Sequence, residues 1–528
     1  MRIRMPRKAL AVLAASLVAV GPASRAGAAT AGGFTAISGS GSSWSSVALD
    51  EWANTLRANG LVVNFNPDGS AAGRQDYLAQ QVDFAGSDPP FRNGSDPFGG
   101  QGAEHPDVGF SYVPDTAGGT AFMYHLTVAG HLVTNLRLSG ETLMKIFTGQ
   151  ITNWDDPEIT KDYGAQLPNE RIIPVIRSDG SGATYFFTRW MSHVFNSQWD
   201  AFCARVSKGR VHGNCPQTEF YPQFPGAVAQ DGSNNVATYI SASFGEGAIG
   251  YDEYAYALNS HFPVVKVLNP AGYYVLPTAS NVAVALTKAV INEDPNSQNF
   301  LQQNLDSVYS FTDPRSYPLS SYSYLIVPRS GEKVPTNFTD GNGKSLSTFA
   351  DYFLCAGQKF APELGYSPLP LNLVTGGLLQ VSKIPGHIPE PSLSHGCDNP
   401  TFTNGKLTLL EDAPQPSPCD KIGEPLTCRV VNGKAVNGNG PNPSGSPSPG
   451  AGGGSGGQPG GGAAPVPGAS QPATGTAVQQ GPVTGTVVNL ASNGSNFTML
   501  EWLTALLILV AVAAPPVILA RRRRQVRR

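Results

Sequence analysis

The chain has 528 residues, of which 41% are hydrophobic, enough apolar material for a large folded core. Only 14% are charged, and glycine (60) and proline (44) make up nearly a fifth of the chain, so we expect an exported, loop-rich protein with a low-complexity segment. Eleven of the 35 basic residues lie in the first 28 and the last eight positions, which leaves 24 basic and 38 acidic residues between them. An acidic body argues against nucleic acid as a partner, because binding it requires a basic face.

Both ends of the chain carry targeting patterns. Residues 1–28 combine a basic start, an apolar run and a small-residue site at 26–28, which predict a signal peptide; an uncleaved membrane helix is the alternative. Residues 502–520 are uncharged and mostly apolar, long enough to predict one transmembrane helix. The basic residues 521–528 follow and predict a cytoplasmic tail, with the preceding chain outside the cell.

Composition divides the exported part into three segments. Residues 34–390 alternate strand-like runs with amphipathic stretches, which predicts an α/β head. Residues 391–432 hold three of the six cysteines and are predicted to be a small extension containing disulfides. Residues 433–487 are rich in Gly, Pro, Ser and Ala and are predicted to be a disordered linker. The six cysteines allow fifteen pairings, and the sequence does not choose among them.

Within the head, the spacing of apolar residues predicts helices at 47–56 and 185–191 and strands at 61–65, 82–88 and 172–176. Gly/Ser turns lie where strand-like runs meet amphipathic stretches, at residues 39–44, 68–70 and 179–184. The first N–H groups of a helix lack intrahelical partners and lie at its positive end, so each turn is a candidate anion site. Taken singly, each turn is better explained as an ordinary helix cap.

Two charged residues make the anion hypothesis more specific. Arg177 precedes the third turn, where its guanidinium can bind two oxygens of a tetrahedral anion while Asp179 holds it in place. Asp88 ends a strand-like run, and a buried carboxylate there can accept a hydrogen bond from protonated phosphate, whereas sulfate offers no hydrogen. Such a mismatch discriminates by roughly 10⁴–10⁵-fold. A helix cap or a surface turn is the alternative role for Asp88.

Several segments in order along residues 34–390 resemble the extracytoplasmic phosphate-binding proteins of ABC phosphate transporters. They are residues 39–52 (GSGSSWSSVALDEW), Ser70 and Asp88 at their separation of eighteen, residues 82–88 (VDFAGSD), residues 141–156 ending in ITNWDD, residues 177–182 (RSDGSG) and residues 247–256 (GAIGYDEYAY, against GAIGYVEYAY in the family). The resemblance implies a two-lobed class II periplasmic-binding-protein-like α/β fold. One lobe would comprise residues 34–112 and 278–390, and the other residues 113–277.

The resemblance also implies which residues bind phosphate. They are Ser43, Trp44, Ser70, Asp88, Arg177, Ser181, Gly182 and Ala183, with Asp179 orienting Arg177. The family usually has Thr at position 183, so Ala183 keeps the backbone N–H but lacks a hydroxyl donor worth about 1 kcal/mol. Neither a metal nor another cofactor is implied.

The expected function is that of a non-enzymatic receptor on the extracellular face of the plasma membrane, which captures inorganic phosphate between its lobes and delivers it to an ABC permease. A surface module that senses phosphate or serves adhesion, with the same fold and no transporter, is the alternative, and the long linker favours it. A surface phosphatase is a third hypothesis. Against it, the head has neither a G-x-S-x-G nucleophile motif nor an H-E-x-x-H metal motif.

Overall fold

The computed structural model describes residues 33–99, 102–211, 213–388 and 397–436. The predicted signal peptide, transmembrane helix and basic tail lie outside the described residues, as does the predicted linker beyond residue 436. No helix within the described ranges is long and apolar enough to cross a membrane. All described residues belong to one compact unit.

Nineteen strands are present in the described residues. In chain order they are β1 (Ile37–Gly41), β2 (Val63–Asn66), β3 (Phe84–Ser87), β4 (Phe110–Tyr124), β5 (Thr127–Val128), β6 (His131–Leu132), β7 (Arg137–Leu138), β8 (Ile173–Arg177), β9 (Val228–Gln230), β10 (Ala248–Glu253), β11 (Lys266–Leu268), β12 (Tyr274–Val275), β13 (Val290–Ile291), β14 (Gln303–Asn304), β15 (Ser320–Pro328), β16 (Phe402–Thr403), β17 (Lys406–Leu407), β18 (Arg429–Val431) and β19 (Lys434–Val436).

The same ranges contain fourteen α-helices. They are α1 (Ser46–Arg57), α2 (Ser70–Leu78), α3 (Gly140–Phe147), α4 (Pro157–Tyr163), α5 (Gly182–Val194), α6 (Asn196–Val206), α7 (Gly232–Ser241), α8 (Tyr254–Asn259), α9 (Ala279–Leu286), α10 (Asp306–Tyr309), α11 (Asp340–Leu354), α12 (Ala361–Leu364), α13 (Leu371–Val381) and α14 (Thr408–Glu411).

One eight-stranded sheet, in the order β2-β1-β3-β15-β4-β10-β8-β9, forms the centre of the head. The long strand β4 joins two parts of it, because residues 110–119 pair with β15 and residues 120–124 pair with β10. We call β2-β1-β3-β15 the first half-sheet and β10-β8-β9 the second half-sheet. Each half contains three mutually parallel strands, β1 with β2 and β3, and β8 with β9 and β10, and helices lie in the crossovers between consecutive strands.

The predicted helices and strands are present with small shifts at their ends. The helix predicted at 47–56 is α1, and the one predicted at 185–191 lies within α5. The strand predicted at 61–65 begins two residues later, at Val63, and the one predicted at 172–176 is β8. Aromatic rings pack in the core of the head. Trp52 stacks on Phe353 with the ring centroids 5.2 Å apart, and the ring centroids of Phe187 and Tyr251 are 4.8 Å apart.

The described part of the extension, residues 397–436, contacts the head at α11 and at β11. The disulfide Cys355–Cys397 attaches it at the end of α11, and Lys266 Nζ on β11 lies 2.6 Å from Asp420 Oδ1. Residues 433–436 belong to the hairpin of β18 and β19, whereas the sequence placed them in the linker. The six cysteines are all paired, as Cys203–Cys215, Cys355–Cys397 and Cys419–Cys428.

Candidate functional site

Loops at the carboxyl ends of five strands, three from the first half-sheet and two from the second, meet between the two half-sheets. Residues 42–44, 67–70 and 88 follow β1, β2 and β3, and residues 178–182 and 231–233 follow β8 and β9. The two sets touch directly, since the Ala71 N–H donates to the Gly180 carbonyl at 3.0 Å. Open α/β sheets bind ligands at the carboxyl ends of their strands, so this junction is the candidate site.

Asp88 is buried at the end of β3, with 1% of its surface exposed. Serine hydroxyls donate to its carboxylate from three segments: Ser42 at 2.9 Å from both oxygens, Ser70 at 3.0 Å from Oδ2 and Ser323 at 2.6 Å from Oδ1. Burial raises the pKa of Asp88, while these hydrogen bonds and the charge of Arg177 oppose the rise. The surface turn that the sequence left open for Asp88 is therefore excluded.

The first residue of α5 lies against the Asp88 carboxylate. A β-carbon on Gly182 would lie 1.7 Å from Asp88 Oδ2, so only glycine fits there. Ser181 caps the helix, and its hydroxyl accepts the Thr184 N–H at 3.4 Å. The N–H groups of Gly182 and Ala183 belong to the first turn, which lacks intrahelical acceptors and lies at the positive end of the helix dipole.

Arg177 forms a second polar cluster beside Asp88. Its Nε donates to Asp179 Oδ1 at 2.7 Å, and its Nη2 bonds to the other oxygen of the same carboxylate. Nη1 donates to Ser233 Oγ at 3.0 Å, and Nη2 donates to Ser43 Oγ at 2.9 Å. Because Ser43 follows β1 and Ser233 follows β9, this cluster connects the two half-sheets.

Trp44 and Ala183 offer less to a ligand than the other predicted residues. The buried Trp44 ring meets the Tyr366 ring edge-on at 5.8 Å, and its backbone N–H donates to Ser42 Oγ at 3.1 Å. Ala183 is buried in the first turn of α5. Ala183 can therefore reach a ligand only through its backbone, and the N–H of Trp44 is engaged by Ser42.

Four polar residues of the site were missed by the sequence analysis: Ser42, Ser233, Ser323 and Asp252, whose Oδ1 lies 3.8 Å from Arg177 Nη1. Two of them had a usable signal. Ser42 lies in the hydroxyl-rich run at 39–44, and Ser233 ends an Asp-Gly-Ser turn at 231–233 that repeats the turns at 68–70 and 179–181. Ser323 lies within a strand, where nothing local distinguishes it from other inward-facing residues, and Asp252 differed only in replacing the Val of the family motif.

A buried ion-pair network crosses the same junction. Arg74 on α2 has no exposed side-chain surface; its Nε lies 2.8 Å from Glu104, and its Nη2 lies 2.7 Å from Glu219. Arg92 contacts the same two glutamates at 2.8 and 3.4 Å. The carbonyl of Glu219 accepts the Ser181 N–H at 2.9 Å, which links the network to the start of α5.

The site combines many hydrogen-bond donors with a buried carboxylate acceptor, in addition to the carboxylates that lie beside Arg177. The donors are hydroxyls, a guanidinium and a helix N-terminus, and the acceptor is the Asp88 carboxylate. A small oxyanion that itself carries a hydrogen satisfies both kinds of group. Among the residues that the structure describes, no cluster of three or more His, Cys, Asp or Glu side chains is placed to hold a metal ion.

Residues 24–356 match the model of the PBP superfamily domain. The phosphate-binding protein PstS of Xylella fastidiosa is 30% identical over 340 residues, which cover 64% of this chain and 82% of that protein. The phosphate-binding protein PstS of Pasteurella multocida is 30% identical over 342 residues, which cover 64% of this chain and 87% of that protein. A solved phosphate-binding protein from Stenotrophomonas maltophilia aligns with 70% of this chain and 99% of its own, at 16% identity and a TM-score of 0.47.

The family match begins within the predicted signal peptide and ends just beyond α11, so it contains every loop of the candidate site. The predicted α/β periplasmic-binding-protein-like fold of the head is thereby confirmed. The curated relatives match along most of their own length. The chain belongs to the PBP superfamily and, within it, to the PstS-like phosphate-binding proteins.

Proposed function

We propose that this protein binds one inorganic phosphate ion between its two half-sheets and passes it to an ABC permease in the membrane. The observation that carries the proposal is the buried Asp88 carboxylate, which three serine hydroxyls approach and which lies against the first residue of α5. Near neutral pH, phosphate retains at least one hydrogen for Asp88. The other phosphate oxygens accept hydrogen bonds from Ser70, from Arg177 and from the N–H groups of α5.

The bound ion would hold the half-sheets together. In the structure Ser43 contacts Arg177, and Asp88 lies against Gly182, so each contact joins a loop of one half-sheet to a loop of the other. Phosphate placed among these groups replaces such contacts with hydrogen bonds from both sides. A ligand that binds one arrangement better than the other shifts the population toward it, so phosphate favours the closed arrangement.

Titration calorimetry of the purified protein with phosphate and with sulfate tests the binding proposal. We expect tight phosphate binding at pH 7.5 and sulfate binding weaker by roughly 10⁴-fold, because sulfate leaves the Asp88 carboxylate facing oxygens without a hydrogen. Equal affinities would contradict the role of Asp88. Undetectable phosphate binding would contradict the proposed function itself.

The transport role rests on the family and on the ends of the chain. The proposal places residues from about 29 to 496 outside the cell after removal of the signal peptide, with residues 502–520 as the membrane anchor. Deletion of the gene is then expected to reduce phosphate uptake by cells grown at low phosphate, and the full chain should restore it. Unchanged uptake together with phosphate binding would instead favour the sensing or adhesion module.

A further inference from the structure

A second carboxylate, that of Asp252, lies beside Arg177. Asp252 is at the end of β10 with 3% of its surface exposed, and its Oδ1 is 3.8 Å from Arg177 Nη1. Asp179 contacts Nε and Nη2 of the same guanidinium. Arg177 therefore has two carboxylates next to it before any anion arrives, and the site as a whole does not carry excess positive charge.

The contacts of Asp252 leave one of its oxygens unsatisfied. Oδ1 accepts the Glu253 N–H at 2.8 Å, whereas Oδ2 is buried without a hydrogen-bond partner among the described residues. Burial raises the pKa of Asp252 to about 6, and the charge of Arg177, the neighbouring Ser233 hydroxyl and the Glu253 N–H oppose that rise. The charged and titratable groups that face Asp252 from the surrounding elements are Arg177, Asp179, Glu253, Tyr256 and Tyr366.

We propose that Asp252 makes anion binding proton-coupled: the carboxylate takes up one proton from solvent when an oxyanion binds at Arg177. This inference rests on the proposed function. An anion beside Arg177 adds negative charge next to a buried carboxylate, and like charges at short range disfavour the ionised form. Protonation removes the repulsion and gives the unsatisfied side of the carboxyl an O–H donor. Asp252 thus sets how strongly phosphate affinity depends on pH.

Comparing Asp252→Asn with the wild type separates proton uptake by Asp252 from the protonation of phosphate itself, because phosphate titrates identically in both experiments. The amide keeps an oxygen for the Glu253 N–H and removes the charge. We expect the variant to bind phosphate about tenfold more tightly than the wild type at pH 8.5, since a unit charge near Arg177 is removed, and about equally at pH 5.5. Calorimetry in two buffers of different ionisation enthalpy should show that the wild type takes up more protons on binding than the variant does.

Two further proteins complete the test. Asp252→Val, which introduces the residue of the family motif, should behave as Asp252→Asn does and guards against a folding defect in one variant. Asp50→Asn, at an exposed position of α1, should match the wild type at every pH. An affinity ratio that does not change with pH, or equal proton uptake by wild type and variants, overturns the inference alone. Absence of phosphate binding in the wild type overturns both this inference and the proposed function.

Discussion

Asp88→Asn is expected to reduce the preference for phosphate over sulfate by at least about 100-fold, out of a discrimination of roughly 10⁴–10⁵-fold. The carboxylate can only accept, so it pairs with a ligand that has a hydrogen. The amide presents two N–H donors and one acceptor at nearly the same volume. Sulfate affinity should therefore rise while phosphate affinity falls.

The surrounding hydroxyls can pair with an amide as well as with a carboxylate, so Asp88→Asn should change anion preference without unfolding the protein. Ser42, Ser70 and Ser323 all donate to Asp88, and a serine hydroxyl can rotate and accept from an amide instead. Competition calorimetry with the two anions at pH 7.5 measures the change. Asp76→Asn is the matched control, because that partly buried carboxylate on α2 accepts from Ser40 on β1 and lies outside the site. A preference retained by Asp88→Asn would show that the discrimination has another source.

Much of the fold follows from local patterns in the sequence. The apolar run before Arg177 predicts β8, and the helical spacing after Gly182 predicts α5, because each pattern reports which side of a single element is buried. The ends of elements are less certain: β2 begins two residues after the predicted start, at Val63. Whether a strand extends further depends on its neighbours in the sheet, which the local sequence does not contain.

The site also contains residues that a local sequence pattern indicates and residues that only the assembled sheet brings into it. Ser70 and Ser181 were candidates because each lies in a Gly-containing turn between a strand-like run and a helix, and the resemblance to phosphate-binding proteins implied their role. Ser323 reaches Asp88 from β15, where the pairing with β4 changes register between Tyr322 and Tyr324. Such an irregularity re-aims side chains, and no sequence pattern marks it. Asp252 meets Arg177 only through the pairing of β10 with β8, between segments about 75 residues apart.

The Arg74 network was missed for a related reason. Arg74 lies one helical turn after Ser70, where a charged residue is usually explained as part of a solvated face. Its partners are Glu104 and Glu219, which are 30 and 145 residues away. Only the assembled head shows that this arginine is buried, and that two glutamates balance it.

Arg74→Met is expected to lower the free energy of unfolding by about 3–5 kcal/mol, the loss typical when one partner of a buried ion pair is removed. Glu104 and Glu219 would then face Arg92 as their remaining cation. Urea unfolding at pH 8 measures the loss. Arg57→Met, at an exposed position at the end of α1, should change stability by less than about 0.5 kcal/mol.

The pH dependence of this loss distinguishes uncompensated charge from lost packing. Burial raises the pKa of Glu219, and Arg74 opposes that rise, so removing Arg74 raises the folded-state pKa further. A group with a raised folded-state pKa binds its proton more tightly when folded, so its stabilising contribution is present at low pH and is lost as the pH rises through that pKa. The defect of Arg74→Met should therefore be smaller at pH 5.5 than at pH 8.

Adding Glu219→Gln to Arg74→Met should recover part of the stability at pH 8, because it removes the unbalanced charge. An equal loss at both pH values, without recovery in the double variant, would mean that the loss comes from the packing of the Arg74 side chain and not from its charge.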